Sequence, residues 1–305
     1  DRRPPRLPAE GRDRHPLSGL KGVDLTVGGR RIVEILAERL VASGAFNPVY
    51  LAGPAAAYAG VAAGTLPIDT NASLGRNIER SFVEMRSRHP GSPAAFTTCD
   101  ILPDVATLAD AMTAWRSVEP CDIWYPLVRV PADRALLGAS AWKPIYRIPP
   151  RIGEAPVDTL PGHLVVVDPD AIRLRFIRRL LDIGYGTRNR SIPYRLMIAF
   201  GGLVASIVFH DVLHVLAGRR PTLLGDTTAL SLRRGQATLA DLEVAVRRIF
   251  VRRLHRDRYP ERRVALPLLE GLTLALDIDT EEEAREKDAA GRAVGVAVHD
   301  VEEAI

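Results

Sequence analysis

Three aspartates stand where chemistry on a charged ligand would need them. Asp100 follows the apolar run 93–98, and Asp277 and Asp279 follow the run 272–276 with only Ile278 between them. In extended chain, side chains two residues apart project to the same side. Asp277 and Asp279 would therefore repel one another unless a cation or a basic group lay between them. Mg²⁺ is a hard cation that takes one or two carboxylates together with substrate phosphates, so two strand ends that converge would be enough to hold it. Helix chemistry competes for the same acids. Asp104, ahead of Val105, suits a helix N-cap, and Thr280 can cap a helix whose first turn carries Glu281, Glu282 and Glu283. The two readings are compatible, with Thr280 as cap and the aspartates as ligands.

Basic groups that could meet phosphate are scattered along the chain. Lys21, Arg12 and Arg14 lie near the start, Lys143 and Arg147 in the segment 142–147, and Arg188 and Arg190 either side of Asn189. Guanidinium and ammonium groups suit phosphate, but surface arginine is the default. Ser73, Gly75 and Asn77 could contact a base or ribose, and a helix start explains them nearly as well. His210 and His214 share a helix face at the spacing metal ligands use. No glutamate lies between them as in a zinc hydrolase and no third ligand is evident, so a polar patch is the better reading.

The elements that must position these groups read as alternating strands and helices. Strands are expected at 23–27, 49–54, 65–70, 93–98, 121–130, 162–167 and 272–276. Helices are expected at 31–43, 74–88 (entered through Asn71 or Ser73), 105–115, 171–182, 193–217 and 239–254, with a last one starting at Glu281. That alternation predicts an α/β fold with a mostly parallel sheet covered on both faces, a Rossmann-like three-layer α/β/α sandwich. In open parallel sheets ligands bind beyond the C-terminal strand ends, which is where Asp100 falls. The chain reads as one domain over residues 1–305, with residues 185–265, mostly helical and rich in arginine, as an insertion or subdomain.

With 47% hydrophobic and 26% charged residues, wholesale disorder is excluded. Two cysteines, Cys99 and Cys121, exclude a disulfide framework and a cysteine zinc site. A formal charge of +4 and a pI near 9.3 favour phosphate ligands without selecting among nucleotides, lipid headgroups and nucleic acid. No nucleic-acid module is apparent and none is expected as a partner. The uncharged run from Leu196 to Phe209 is shorter than the about 20 residues a bilayer span needs. Arg188, Arg190 and Arg195 before it and Arg219 and Arg220 after it leave peripheral contact with anionic lipid through 195–217 as an alternative to a buried helix. A cytoplasmic protein is the expectation, with contact of that segment with the inner face of the membrane as the alternative. The polar opening from Asp1 to Arg6 reads as the middle of a loop, so sequence is expected upstream.

The order of several short segments resembles the molybdenum-cofactor guanylyltransferase-like branch of the nucleotidyltransferases with the glycosyltransferase-A fold. These are Gly19-Leu20-Lys21 with Val27-Gly28-Gly29-Arg30, Gly75 and Asn77 leading a helix, Thr97-Thr98-Cys99-Asp100-Ile101, Gly162-His163-Leu164, and Leu276-Asp277-Ile278-Asp279-Thr280. The resemblance implies Mg²⁺-dependent transfer of a nucleoside monophosphate from a triphosphate, CTP or GTP, to a small phosphorylated or hydroxylated acceptor, with release of pyrophosphate. It implies Lys21 as the phosphate-binding lysine and Asp100 and Asp279, with Asp277, as metal ligands. Ser73, Gly75 and Asn77 match the family's nucleotide-binding segment. Where the family carries a first strand and a glycine-rich loop, this chain has Pro8 to His15, with one glycine and with Arg12 and Arg14 as its phosphate-binding candidates. Lys143, Arg188 and Arg190 are candidates for the acceptor. A glycosyltransferase using a nucleotide sugar is the alternative on the same fold, and a non-catalytic nucleotide-binding or membrane-associated protein is the alternative from another class.

Overall fold

The computed structural model describes residues 21–61, 64–187 and 237–289, together with 201, 212 and 216. Lys21–Asp24 forms one helical turn, α1, and strands β1 (Thr26–Val27) and β2 (Arg30–Arg31) then pair antiparallel. Gly28 and Gly29 close that hairpin with φ of 60° and 74°, a left-handed conformation that strains residues with a Cβ. Helix α2 (Ile32–Ala42) follows, then β3 (Val49–Gly53) and β4 (Thr65–Asp69), which pair parallel, then α3 (Leu74–Arg88), β5 (Ala94–Thr97) and α4 (Val105–Arg116). Caps set the helix starts. Ser73 Oγ accepts from Arg76 N–H at 3.4 Å and Asp104 Oδ1 from Thr107 N–H at 2.6 Å.

Strands β6 (Cys121–Trp124) and β7 (Leu127–Arg129) come next, then a 3₁₀ segment (Arg134–Trp142), β8 (Tyr146–Ile148), β9 (Val157–Pro161) and β10 (Leu164–Val167). Helices α5 (Leu174–Thr187), α6 (Leu239–Phe250) and α7 (Arg253–Arg258) precede β11 (Arg263–Ala265) and β12 (Leu268–Leu269). A 3₁₀ turn (Leu272–Leu274) and a last helix, α8 (281–289), complete the described chain. The strands form one four-stranded sheet in the order β11-β6-β10-β5 and another in the order β12-β7-β9-β8. Three segments run from one sheet into the other, at Pro126, Gly162 and Pro267. At the first crossing Gly162 N–H donates to Pro126 O at 2.9 Å, and a Cβ on Gly162 would lie 2.9 Å from that same oxygen. Only glycine lets the two backbones approach so closely.

Alternation along the strands splits the core into two faces. Trp124, Val166 and Ala265 pack with Leu36 and Leu40 of α2 and with Leu108, Ala111 and Met112 of α4. Ile123, Val167 and Val264 point the other way, to Phe82 of α3 and to the partly buried Ile177 of α5 and Leu242 of α6. Phe82 and Phe96 stack there with centroids 4.0 Å apart. The fold is α/β with helices on both sides of the sheet.

Strand pairing is mixed rather than mostly parallel. β10 lies antiparallel to both β5 and β6, and only β11 is parallel to β6. β6 runs on into β7 through Tyr125 and Pro126, β9 runs on into β10 through Gly162 and His163, and β7 lies antiparallel to β9, so β10 returns antiparallel to β6. The expected strand 121–130 is broken at Pro126, which cannot donate to a ladder. The expected helix 239–254 is broken at Val251, which is fully buried and bridges Ile172. Residues 272–274 turn as a 3₁₀ helix instead of extending, with Leu274 N–H donating to Gly271 O at 3.0 Å. The expected strand 23–27 begins as the helical turn α1. Within the described part of 185–265, α6 and α7 are helical while β11 belongs to the sheet.

Candidate functional site

Asp100 lies three residues beyond the end of β5, and Asp277 to Asp279 lie alongside it. Ile101 forms a bridge with Asp277, and Ile278 N–H donates to Asp100 O at 2.9 Å. This short pairing keeps residues 277–279 extended. Ile278, fully buried, points down into a small cluster with Ile32 and Leu102, and the aspartates on either side of it point the opposite way. One oxygen from each of Asp100, Asp277 and Asp279 comes within 4.8 Å of the others.

Two buried lysines, 7% and 8% exposed, meet these carboxylates. Lys21 Nζ donates to Asp279 Oδ1 and lies 3.5 Å from Asp100 Oδ2. Lys143 Nζ donates to both Oδ1 and the backbone O of Asp277, and lies 3.7 Å from Asp279 Oδ2 and 3.4 Å from Glu283 Oε1. Burial pulls each ammonium down, but the surrounding carboxylates outweigh it, Asp279 and Asp100 for Lys21 and Asp277, Glu283 and Asp279 for Lys143. Both stay above the ordinary lysine value and are charged at neutral pH. His163 Nε2 stands 3.6 Å from Asp277 Oδ1. Asp100 Oδ1 is buried and has no hydrogen-bond partner among the described residues.

Glu283, 2% exposed, ties these parts together. Its Oε2 accepts from the N–H groups of Asp279 at 2.6 Å and Thr280 at 2.9 Å, while Thr280 Oγ1 accepts from Glu283 N–H at 3.2 Å. That reciprocal pattern is a capping box at the start of α8. Its Oε1 accepts from Ser140 Oγ at 2.7 Å and from Trp142 Nε1 at 3.2 Å. One carboxylate thus fixes the turn bearing Asp279 and the segment bearing Lys143. Reading Glu283 only as a favourable charge at a helix dipole missed this. The signal was the Thr-x-x-Glu spacing of residues 280–283.

Among the other sequence candidates, Lys143 is drawn into the carboxylate centre itself. Ser73 caps α3, and Asn77 Oδ1 accepts from Ala72 N–H at 3.0 Å. A Cβ on Gly75 would lie 2.5 Å from Arg178 O and 2.6 Å from Asp182 Oδ1, so this glycine lets α3 pack against α5. These three have structural duties and make no contact with the aspartates. Arg12, Arg14, Arg188, Arg190, His210 and His214 lie outside the described residues, as does 195–217 apart from single positions. Among the described residues no helix is long and apolar enough to cross a membrane.

No protein-family model matches the chain, and no curated protein does. Among solved structures, the chain is similar to the 4-diphosphocytidyl-2C-methyl-D-erythritol synthase from Anaerococcus prevotii DSM 20548, at 8% identity and a TM-score of 0.43, over 90% of this chain and 94% of that one.

Proposed function

We propose that the chain is a Mg²⁺-dependent nucleotidyltransferase that moves a nucleoside monophosphate from CTP or GTP to a small phosphorylated or hydroxylated acceptor and releases pyrophosphate. The observation that carries this reading is the convergence of Asp100, Asp277 and Asp279 within 4.8 Å, flanked by two buried, charged lysines. The donor set is all oxygen, which suits a hard cation, and the buried, unpartnered Oδ1 of Asp100 offers it a free lone pair. Formally, these three aspartates and Glu283 outnumber Lys21 and Lys143 by two charges, the charge of one divalent cation. Asp100 and Asp279, with Asp277, would hold Mg²⁺, which supplies neutralisation of phosphate charge when bound.

The chain's own residues supply positioning and charge. An acceptor oxygen attacks the α-phosphorus, the bond from that phosphorus to the bridging oxygen breaks, and pyrophosphate leaves. Negative charge grows on the phosphate oxygens in this step, and fixed cations in a site that excludes water lower its cost. Lys21, paired with Asp279 Oδ1 and Asp100, and Lys143, paired with Asp277 and near Asp279 Oδ2, are those cations. Lys21 serves the triphosphate and Lys143 the acceptor. Glu283 holds Lys143 and the backbone of Asp279 in place and touches neither substrate.

Pyrophosphate release, measured with each of the four nucleoside triphosphates, Mg²⁺ and pools of sugar phosphates, alditol phosphates and cofactor precursors, tests the reading. CTP or GTP is expected to give product, and Asp100→Ala to lower the rate by about a hundredfold or more with the melting temperature retained. No pyrophosphate from any pair, or a rate untouched by Asp100→Ala, would defeat it.

A further inference from the structure

A cavity of about 350 Å³ is lined by Val244, Arg247, Arg248, Arg253, Arg256 and Asp257, on helices α6 and α7. Among the described residues that line it, four carry guanidinium groups and one a carboxylate, and that carboxylate is already paired, with Asp257 Oδ2 3.3 Å from Arg253 Nε. Arg247 is committed elsewhere. Its Nε donates to Asp122 Oδ2 at 3.0 Å and its Nη2 to Tyr259 O at 2.6 Å. Asp122, wholly buried, is shared as well with Arg262 and His255, at 3.0 and 3.1 Å. Arg247 is thus a fixed wall of the cavity rather than a mobile surface group.

Arg256 lacks such an arrangement. Its Nε is buried and has no hydrogen-bond partner among the described residues. Burial, opposed by Asp257 but reinforced by Arg247, Arg253 and Arg248, pulls its guanidinium below the ordinary value. Burial and the charge of Arg256 likewise bring Arg173 down to about 10. Because arginine stays protonated in proteins, these shifts express first the burial of the two guanidinium groups and then the crowding of like charge around them. An anion in the cavity would relieve that crowding.

The cavity lies apart from the carboxylate centre. β5 and β6 are both antiparallel to β10 and so run in the same direction. Asp100 follows the end of β5, whereas Asp122, which anchors Arg247, opens β6. The two therefore mark opposite edges of the sheet.

We propose that the cavity is a second binding site, taking a phosphate-bearing anion gripped by Arg248, Arg253 and Arg256 against the wall made by Arg247. Guanidinium forks match phosphate oxygens two at a time. The volume stands at the lower end of small-molecule pockets, about 300–1,000 Å³. The phosphate has two possible sources, a free oligophosphate or the headgroup of an anionic lipid. Val244 and Leu254, 51% and 80% exposed, give the lipid a place for its glycerol carbons.

Calorimetric titration of the chain with inorganic pyrophosphate in EDTA tests the free source, because without a divalent cation the aspartates repel phosphate. Flotation with phosphatidylglycerol vesicles, against phosphatidylcholine, tests the lipid. The Arg248→Gln/Arg256→Gln variant is expected to bind about tenfold more weakly or worse with a melting temperature unchanged or raised, since crowding is relieved. Arg256→Lys, which keeps the charge and loses the fork, should bind several-fold more weakly and guards against an effect of folding. Binding to either probe that is lost in these arginine variants supports the site and names the source. No binding to either probe, or binding equal in parent and arginine variants, overturns it.

Discussion

Replacing Glu283 by glutamine changes one oxygen for an NH₂ group and should unsettle both halves of the carboxylate centre. The native carboxylate accepts four hydrogen bonds, from Ser140 Oγ, Trp142 Nε1 and the N–H groups of Asp279 and Thr280, with Lys143 Nζ 3.4 Å away. The amide has one oxygen. If it faces the two backbone donors, its NH₂ is turned toward the indole N–H and the ammonium group. Ser140 can rotate its hydroxyl to accept, but the Trp142 indole N–H and the Lys143 ammonium are donors only and have no lone pair with which to accept from it. Two interactions with a charged acceptor are lost, each worth about 1.5–3 kcal/mol, so Glu283→Gln should cost about 3–6 kcal/mol. That is a large part of a total stability of about 5–15 kcal/mol. At about 2–4 °C per kcal/mol, calorimetry should find the melting temperature lowered by roughly 10 °C. Pyrophosphate release, where it is measurable, should fall with it as Lys143 and the Asp279 turn lose register. A shift below about 2 °C would refute the view that Glu283 joins the two segments.

Two further outcomes follow from packing and charge. Gly75→Ala gains about 1 kcal/mol of helix propensity, yet its methyl group would sit 2.5 Å from Arg178 O. Forcing α3 from α5 costs about 1–3 kcal/mol, so equilibrium denaturation should show a net loss of stability; a gain would sink the close-packing account. Lys21 and Lys143 have folded pKa values above the ordinary 10.5. Their contribution is therefore complete below pH 10.5 and is lost as pH rises through the folded values. Melting temperature should drop steeply above pH 10.5, and less steeply in Lys21→Met. Equal slopes for the two proteins would refute it.

What could be read along the chain was what local chemistry decides. The helices beginning at Leu74, Val105 and Leu239 start where the apolar spacing and capping residues put them, and Asp104 caps α4 as its place before Val105 suggested. Asp100 could be placed at a strand end because an apolar run stops just before it. What eluded the sequence depends on partners distant along the chain. The acidic surroundings of Lys143 are 134 residues away at Asp277, and nothing between Trp142 and Pro144 announces them. Strands β8 and β9 are hidden among prolines and glycines, and β8 is largely exposed, so no apolar alternation marks it. Val251 carries helix-compatible neighbours but is claimed by a bridge to Ile172, so tertiary pairing overrides the local pattern.

The sequence separation within the carboxylate centre also sets when it can exist. Lys21 and Asp279 are 258 residues apart, and ribosomes deliver about 5–20 residues per second. A nascent chain therefore carries Lys21 for roughly 10 to 50 s before the aspartate that neutralises it has been made. Through that interval Asp100 and Lys21 have only each other, and Lys143 has no acid at all among the residues that pair with it in the finished protein. The turn 277–280 and its Glu283 act as a latch that is made after every described strand of both four-stranded sheets, so the centre forms only once those strands have been synthesised.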